Sequence, residues 1–257
     1  MCVDGGQVRA GQRFAVATAM AMVVVAAVLS VIPAGSARAS SAADADGRRV
    51  AARAVADPGY VVAPGIVFNH PFRKKNRARI QRKIINTVRN VPAGETIRLA
   101  TWNFDSPRLE KVFVNAHRRG VSVQIVMSRG LARTQGAGGS YRILRSALAA
   151  GNADRPSSMR SWIRTCRSTC RGGGGAMHFK FMLVSRSGAT SWVVSQGSGN
   201  FTGAAAVQQF NDWTTVTENK ALWDGWTAIW NEAVKDRDFP AARFSTGGVT
   251  SVFAAQG

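Results

Sequence analysis

Three consecutive stretches of the chain change hydrophobic period, and that change limits the available folds more than any other feature. "RARIQRKIINTVRNV" sets Ile80, Ile84, Ile85 and Val88 at helical spacing, so one side of a helix is apolar. "TIRLATWNF" then alternates apolar residues with a period of two, as a strand does. "SPRLEKVFVNAHRRG" returns to helical spacing, with Ser106 as N-cap, Pro107 at the first position and Gly120 just past the end, and "VSVQIVM" is the next strand. The pattern continues through "SYRILRSALAAG", a hairpin around residues 177–197, "NDWTTV" and "ALWDGWTAIWNEAV". Such alternation predicts an α/β sandwich in which a largely buried mixed sheet is flanked by helices. The folded part is expected from Val61 to Phe239, some 180 residues and enough for one core. Trp223, Trp226 and Trp230 have helical spacing on the last helix and read as core.

Before this folded part, residues 1–39 read as an export signal. Arg9 and Arg13 precede the apolar run "FAVATAMAMVVVAAVLSVI", which ends at Pro33 and the small-residue site Ala37-Arg38-Ala39. The same run is long enough to serve as a membrane anchor instead. Residues 40–60 are small, polar and without sustained periodicity, the composition of a flexible linker. The expected location of the mature chain is therefore extracellular, as a secreted protein. Of the net charge of +20, a leader carrying Asp4 against Arg9, Arg13 and Arg38 removes +2 and leaves +18. Such a surface attracts nucleic acid, anionic lipid or cell-wall polymer, and it also fits a basic secreted protein with no such partner. In an oxidising compartment Cys166 and Cys170 of "CRSTC" are expected to form a local disulfide; zinc would need two further ligands, and no metal site or cofactor is expected.

The chemistry is concentrated in "MHFKFMLVSRSGATSWVVSQGSGNFTG", residues 177–203. Residues two apart in a strand share a face, so His178 and Lys180 project together while Phe179 and Phe181 face the other side. Gly197, Ser198 and Gly199 free the backbone for a close approach to a ligand, and Asn200 can donate its side-chain amide to an anionic oxygen. Together these groups suit holding a phosphate while a histidine attacks phosphorus.

These residues resemble the phospholipase D superfamily, whose signature is His-x-Lys, an acidic residue beyond it and then Gly-Ser-x-Asn; "HFK" and "GSGN" match. "IRLATWNFDSPRLEKVFVNAHRRGVSVQIVMSRG" is similar to the family's opening strand, helix, turn and second strand, so the resemblance covers about residues 61–239. It implies a phospholipase D-like sandwich with one repeat of the usual two. It also implies a phosphodiesterase working through a phosphohistidine, with a second histidine protonating the leaving alcohol. By the same resemblance His178 is the attacking or proton-donating imidazole, Lys180 and Asn200 stabilise the nonbridging oxygens, and Ser198 donates nearby. Phospholipid is the expected substrate, because the approach "SWIRTCRSTCRGGGGAMHFK" looks like secreted phospholipase D-like proteins. A nuclease acting as a homodimer and a noncatalytic phosphate-binding half-protein are the alternatives.

The sequence departs from the pattern in several places. The acidic position after the lysine holds Ser185, so local fold or site tuning is expected to differ. The hairpin containing "SRSGATSW" is longer than usual. For the carboxylate that orients the imidazole, Asn211 fits by spacing and Asp212 by chemistry; Asp212 is preferred, because an imidazole that must become cationic gains from a neighbouring anion. Only one His-x-Lys is present, so a complete site calls for pairing of two chains or for a missing second half. "TGGVTSVFAAQG" at Thr246–Gly257 shares a Gly-hydrophobic flavour with "PGIVFNHPF" at Pro64–Phe72, and is either the opening of a truncated second repeat or an ordinary tail. His117, at a helix end, reads as a partly exposed structural histidine, and His70 as structural or as lining the site from a loop.

Overall fold

A computed structural model of the chain describes residues 56–136 and 139–254. The expected leader, linker residues 40–55 and the last three residues lie outside the described residues. In chain order the elements are β1 (Gly65–Phe68), α1 (Arg79–Arg89), β2 (Thr96–Thr101), β3 (Phe104–Asp105), α2 (Pro107–Arg118), β4 (Ser122–Ser128) and α3 (Arg129–Thr134). There follow α4 (Ser140–Ala149), β5 (Trp162–Cys166), β6 (Lys180–Ser187), β7 (Thr190–Gly197), β8 (Phe201–Thr202) and α5 (Gly203–Val207). The chain then forms β9 (Asp212–Val216), α6 (Lys220–Lys235), β10 (Ala242–Thr246) and β11 (Val249–Phe253).

Seven strands form one mixed sheet in the order β1-β9-β7-β6-β2-β4-β5. β2, β4 and β5 run parallel, and β6, β7, β9 and β1 continue the sheet antiparallel, each to its neighbour. Period-two alternation sends Leu99, Ile125, Met127, Met182, Val184 and Trp213 to one face, against α1, α2 and α4. On the other face Ala100, Val126, Phe181, Leu183 and Val194 meet α6. The large mixed sheet flanked by helices is thus the architecture expected from the changing period.

Local chemistry explains the element boundaries. The Ser106 hydroxyl accepts from Leu109 N at the start of α2, and Gly120 takes φ 104° where the chain leaves that helix for β4. The N-terminus of α1 lacks a side-chain cap from its own flanking residue, and Asn69 Oδ1 instead accepts from Ile80 N at 3.1 Å. Trp226 and Trp230 are buried, and Trp223 is partly buried on α6. The Arg98 guanidinium of β2 lies between Trp223 and Trp230, 5.5 and 5.2 Å from their rings.

The ends of the expected domain carry more structure than composition suggested. Val62 N donates to Thr190 Oγ1, Ala189 N to Tyr60 O, and Asp57 N to Asn90 Oδ1, so the chain is already tied to the sheet at residues 57–62. Beyond Phe239, β10 and β11 form a hairpin that lays Phe253 on Trp226 with ring centroids 5.0 Å apart. The segment expected as a tail or truncated repeat therefore packs as part of the core behind α6. The long β6–β7 hairpin owes its length to two eight-residue strands, joined only through Gly188 and Ala189.

Candidate active site

The site lies at the end of the sheet where β2 and β7 finish and β6 begins. Thr101 pairs with Lys180, and Phe181 with Gln196, so Lys180 is level with Gly197 on the next strand. β7 then leads into the turn 198–200 and so to β8. β8 pairs not with β7's neighbours but with β3, which follows β2 on the far side of β6. The turn must therefore cross the end of β6, and Phe201 N donates to Asn103 O at 3.2 Å on the other side. Topology alone puts the Gly-Ser-Gly-Asn turn over the strand end that carries His178 and Lys180.

Lys180 is buried, 8% exposed, on the face it shares with Met182 and Val184. Its ammonium donates to the His178 carbonyl at 2.8 Å and lies 5.5 Å from the centre of the Trp102 ring. No carboxylate among the described residues forms an ion pair with it. Desolvation by burial lowers its pKa to about 8. His178 precedes the strand and is exposed, its ring 4.8 Å from Trp102. Desolvation first, and then the Lys180 charge, lower its pKa and favour the neutral, nucleophilic imidazole near pH 7. Trp102 thus joins the imidazole to the amine. Sequence reading passed over it as one more aromatic in "TIRLATWNF"; the available signal was its position at the end of β2, one residue after the partner of Lys180.

Gly-Ser-Gly-Asn contributes in three different ways. At Gly197 a Cβ would come 2.1 Å from Asp212 O, so close approach of β9 requires glycine there. Ser198 Oγ accepts from Asp212 N at 3.0 Å and donates to Asn211 Oδ1 at 3.1 Å. Asn200 lies against the interior beside Asn69 and Gln81, with its Oδ1 buried and without a partner among the described residues. The structure therefore gathers His178, Lys180 and Trp102 into one cluster and Ser198 and Asn211 into a second, with Asn200 directed to the cavity behind the turn.

Asp212 opens β9, and its carboxylate accepts no hydrogen bond among the described residues; only its backbone engages Ser198. Asn211 is the neighbour whose side chain faces the turn, with Nδ2 also donating to Ala205 O at 3.2 Å. Ser185 lies at the far end of β6, five residues from Lys180 and about 16 Å away by strand rise. There its hydroxyl donates to Glu95 Oε2 at 2.7 Å and accepts from Thr96 N at 2.8 Å. A carboxylate is thus present beside the serine, delivered from the loop before β2, and its position fits bracing the sheet and not tuning the imidazole.

The other histidines divide. His117 is buried and not partly exposed as expected, bonded to Ser161 Oγ at 2.8 Å and to Ala150 O at 2.6 Å; desolvation chiefly lowers its pKa. His70 lines a surface depression together with Ser198, Asn211 and Asp212. It follows β1, three strands across the sheet from His178, about 14 Å at ordinary strand spacing. Cys166 and Cys170 are joined as a disulfide at the end of β5. Among the described residues no group of His, Cys, Asp and Glu is arranged to hold a metal ion.

Residues 90–231 match the family described as cardiolipin synthase, PLD-like domain. No curated protein matches the chain. Among solved structures, the phospholipase D family member Nuc from Salmonella typhimurium aligns with a TM-score of 0.48 at 17% identity, over 75% of this chain and all of its own. NucT from Helicobacter pylori aligns at 0.47 and 10% identity, over 68% of this chain and 96% of its own. The phosphatidylserine synthase of Haemophilus influenzae aligns at 0.47 and 14% identity, over 74% of this chain and 40% of its own. With His-x-Lys and Gly-Ser-x-Asn meeting at one sheet end, and a family match over more than half its length, this chain belongs to the phospholipase D superfamily.

Proposed function

We propose that the protein is a secreted phosphodiesterase of phospholipase D type that cleaves phospholipid. The observation that carries this reading is an exposed, neutral-leaning imidazole at His178 beside an ammonium at Lys180 that no carboxylate among the described residues neutralises. A phosphodiester supplies the missing anion. In the proposed first step a His178 ring nitrogen attacks phosphorus, an N–P bond forms, and the P–O bond to the leaving alcohol breaks, its oxygen taking a proton from a second imidazole. Water, deprotonated by that imidazole, then attacks phosphorus and releases His178. Lys180 and donors of the crossing turn stabilise charge on the nonbridging oxygens throughout. Phospholipid is favoured among phosphodiesters because the matching family takes its description from cardiolipin synthase.

The second imidazole supports a more specific reading. His117 is fully engaged in the interior and His70 is three strands away, so neither is poised beside His178. A second copy of this chain, presenting its own His178 across a two-fold axis, would supply the proton carrier. The test is turnover of phosphatidylcholine against single-stranded and duplex DNA, with the solution mass measured on the same sample. Lipid hydrolysis by a species of twice the chain mass, lost in His178→Asn, is the expected result. Hydrolysis of DNA alone would establish the nuclease instead, and phosphate binding without turnover, unchanged in His178→Ala, would establish the noncatalytic half-protein.

A further inference from the structure

The edge strand β1 and the loop after it expose an unusual set of side chains. Ile66 and Phe68 point to the same side of the sheet edge and are 57% and 60% exposed; Phe72 is 80% and Phe210 62% exposed. The aromatics are contiguous: Phe72 lies 5.9 Å from Phe210 and 6.2 Å from His70, and His70 lies 5.1 Å from Phe210. A group of large apolar side chains left in water marks a contact surface. The loop that raises Phe72 is held in shape by its own backbone, through Asn76 N to Arg73 O at 2.7 Å and Arg73 N to His70 O at 3.2 Å. Arg82 adds donors to Arg77 O and Lys75 O at 2.6 and 2.9 Å. Phe72 is therefore presented on a braced tip.

Along the segment that carries this tip the charge has one sign, with Asp212 the acidic residue of the adjoining depression. "RKKNRARIQRK", residues 73–83, holds Arg73, Lys74, Lys75, Arg77, Arg79, Arg82 and Lys83 and no acidic residue, and all but Lys83 are exposed. Apolar side chains projecting from a cationic collar are the pattern of a segment lying in the headgroup region of an anionic bilayer. Charge argues against a second copy as occupant, since two such collars would repel. Ring geometry argues against nucleic acid: the three rings pack edge to face at interplanar angles of 67° to 76°, and Ile66 and Phe68 offer aliphatic and edge-strand surface instead of an open stacking slot.

We infer that β1 and residues 70–83 form a docking face for an anionic lipid surface, with Phe72 entering the acyl boundary and the basic collar taking the headgroups. The face continues into the depression that Phe68, His70 and Phe210 share with Ser198 and Asn211, so docking brings headgroup phosphates to the Gly-Ser-Gly-Asn turn. The inference deepens the lipid reading and rests on it for its purpose, while binding itself is measurable without turnover.

The experiment is co-sedimentation of the purified protein with vesicles of phosphatidylcholine alone or mixed with phosphatidylglycerol, over a salt series. Binding to the mixed vesicles that weakens with salt is expected. Phe72→Ala should lower the partition coefficient about tenfold or more, and Lys74→Gln with Lys75→Gln roughly 30-fold. Phe72→Ala should leave hydrolysis of soluble bis(p-nitrophenyl) phosphate unchanged, and His178→Asn should bind vesicles like the parent. Unaltered vesicle binding in both surface variants overturns the proposal. So does a Phe72→Ala variant that keeps vesicle binding but loses a single-stranded oligonucleotide, or that turns a dimer into a monomer. Phe72-dependent vesicle binding without turnover of any phosphodiester would uphold the docking face and sink the catalytic reading; lipid turnover with Phe72-independent binding would do the reverse.

Discussion

The two ends of β6 handle charge in opposite ways. At the far end Glu95 accepts from Ser185 and pairs with Arg186 at 2.9 Å, so the carboxylate is matched on both oxygens. At the near end Lys180 is more deeply buried and, among the described residues, its ammonium has a carbonyl and an indole face for company. Burying an ammonium without a counter-anion opposes folding, because hydration is lost and little attraction replaces it. A neutralised charge braces the sheet, whereas an incompletely matched one keeps its affinity for an incoming anion. The same strand thus carries a structural pair and a candidate phosphate site, distinguished by which partner the fold leaves out.

The comparison can be broken most sharply at His178. His178→Asn is expected to lower turnover of a phosphodiester on the order of 10⁴-fold or more, with thermal stability retained because the ring is exposed. Steady-state kinetics beside a melting curve checks both halves. Lys180→Met should cost about 10²- to 10³-fold in kcat, yet its melting temperature at pH 7 should equal or exceed the parent's; a large drop would show that the ammonium supports the fold.

The pH profile sharpens the contrast further. His178 must be neutral to attack, and its lowered pKa puts the rising arm of kcat/KM below 6.5. Lys180, lowered to about 8 by burial, loses its charge above that pH, so activity should fall there. Lys180→Arg keeps the charge and should remove the part of the fall that lies near pH 8, leaving the fall set by deprotonation of the second, proton-donating imidazole. Stability runs the other way: the folded pKa lies below the unfolded one, so burial of the charged lysine costs stability at low pH, and stability should increase between about pH 8 and 10.5. Denaturant titrations across that window would reveal it.

The smallest effect is expected at the opposite end. Glu95→Gln should destabilise by about 1 kcal/mol, because the pair with half-exposed Arg186 is partly screened and the bond to Ser185 survives in weaker form. Its kcat should stay within about twofold of the parent, since the group is about 16 Å from Lys180. A tenfold loss would connect the two ends of the strand after all.

What sequence could disclose follows from the range of each interaction. The change of period around Ile80–Val88 and Thr96–Phe104 is local, and it foretold the helices and the sheet. His178 and Lys180 were singled out by their spacing, but β6 begins only at Lys180, and the Trp102 ring, not strand alternation, is what lies beside both. Glu95 was invisible as a partner for Ser185, because 90 residues separate them and only the β2–β6 register brings them together. Trp102 was overlooked for the same reason, and Asn211 and Asp212 were separable only once β9 showed which side chain faces Ser198. The hairpin beyond Phe239 carried a weak signal in short strands, and its burial depends on the aromatic face of α6, which composition alone could not orient.

The turn that crosses β6 is anchored on both banks, at Gly197 by β9 and at Phe201 by the bond to Asn103. A strap fixed at two points holds its spacing, so on the proposed reading it would fit the small tetrahedral group common to every phosphodiester and give little room to a bulkier one. Tolerance for diverse esters would then reside on the open, imidazole side, so redesign aimed at new alcohols should leave the strap alone and reshape its surroundings.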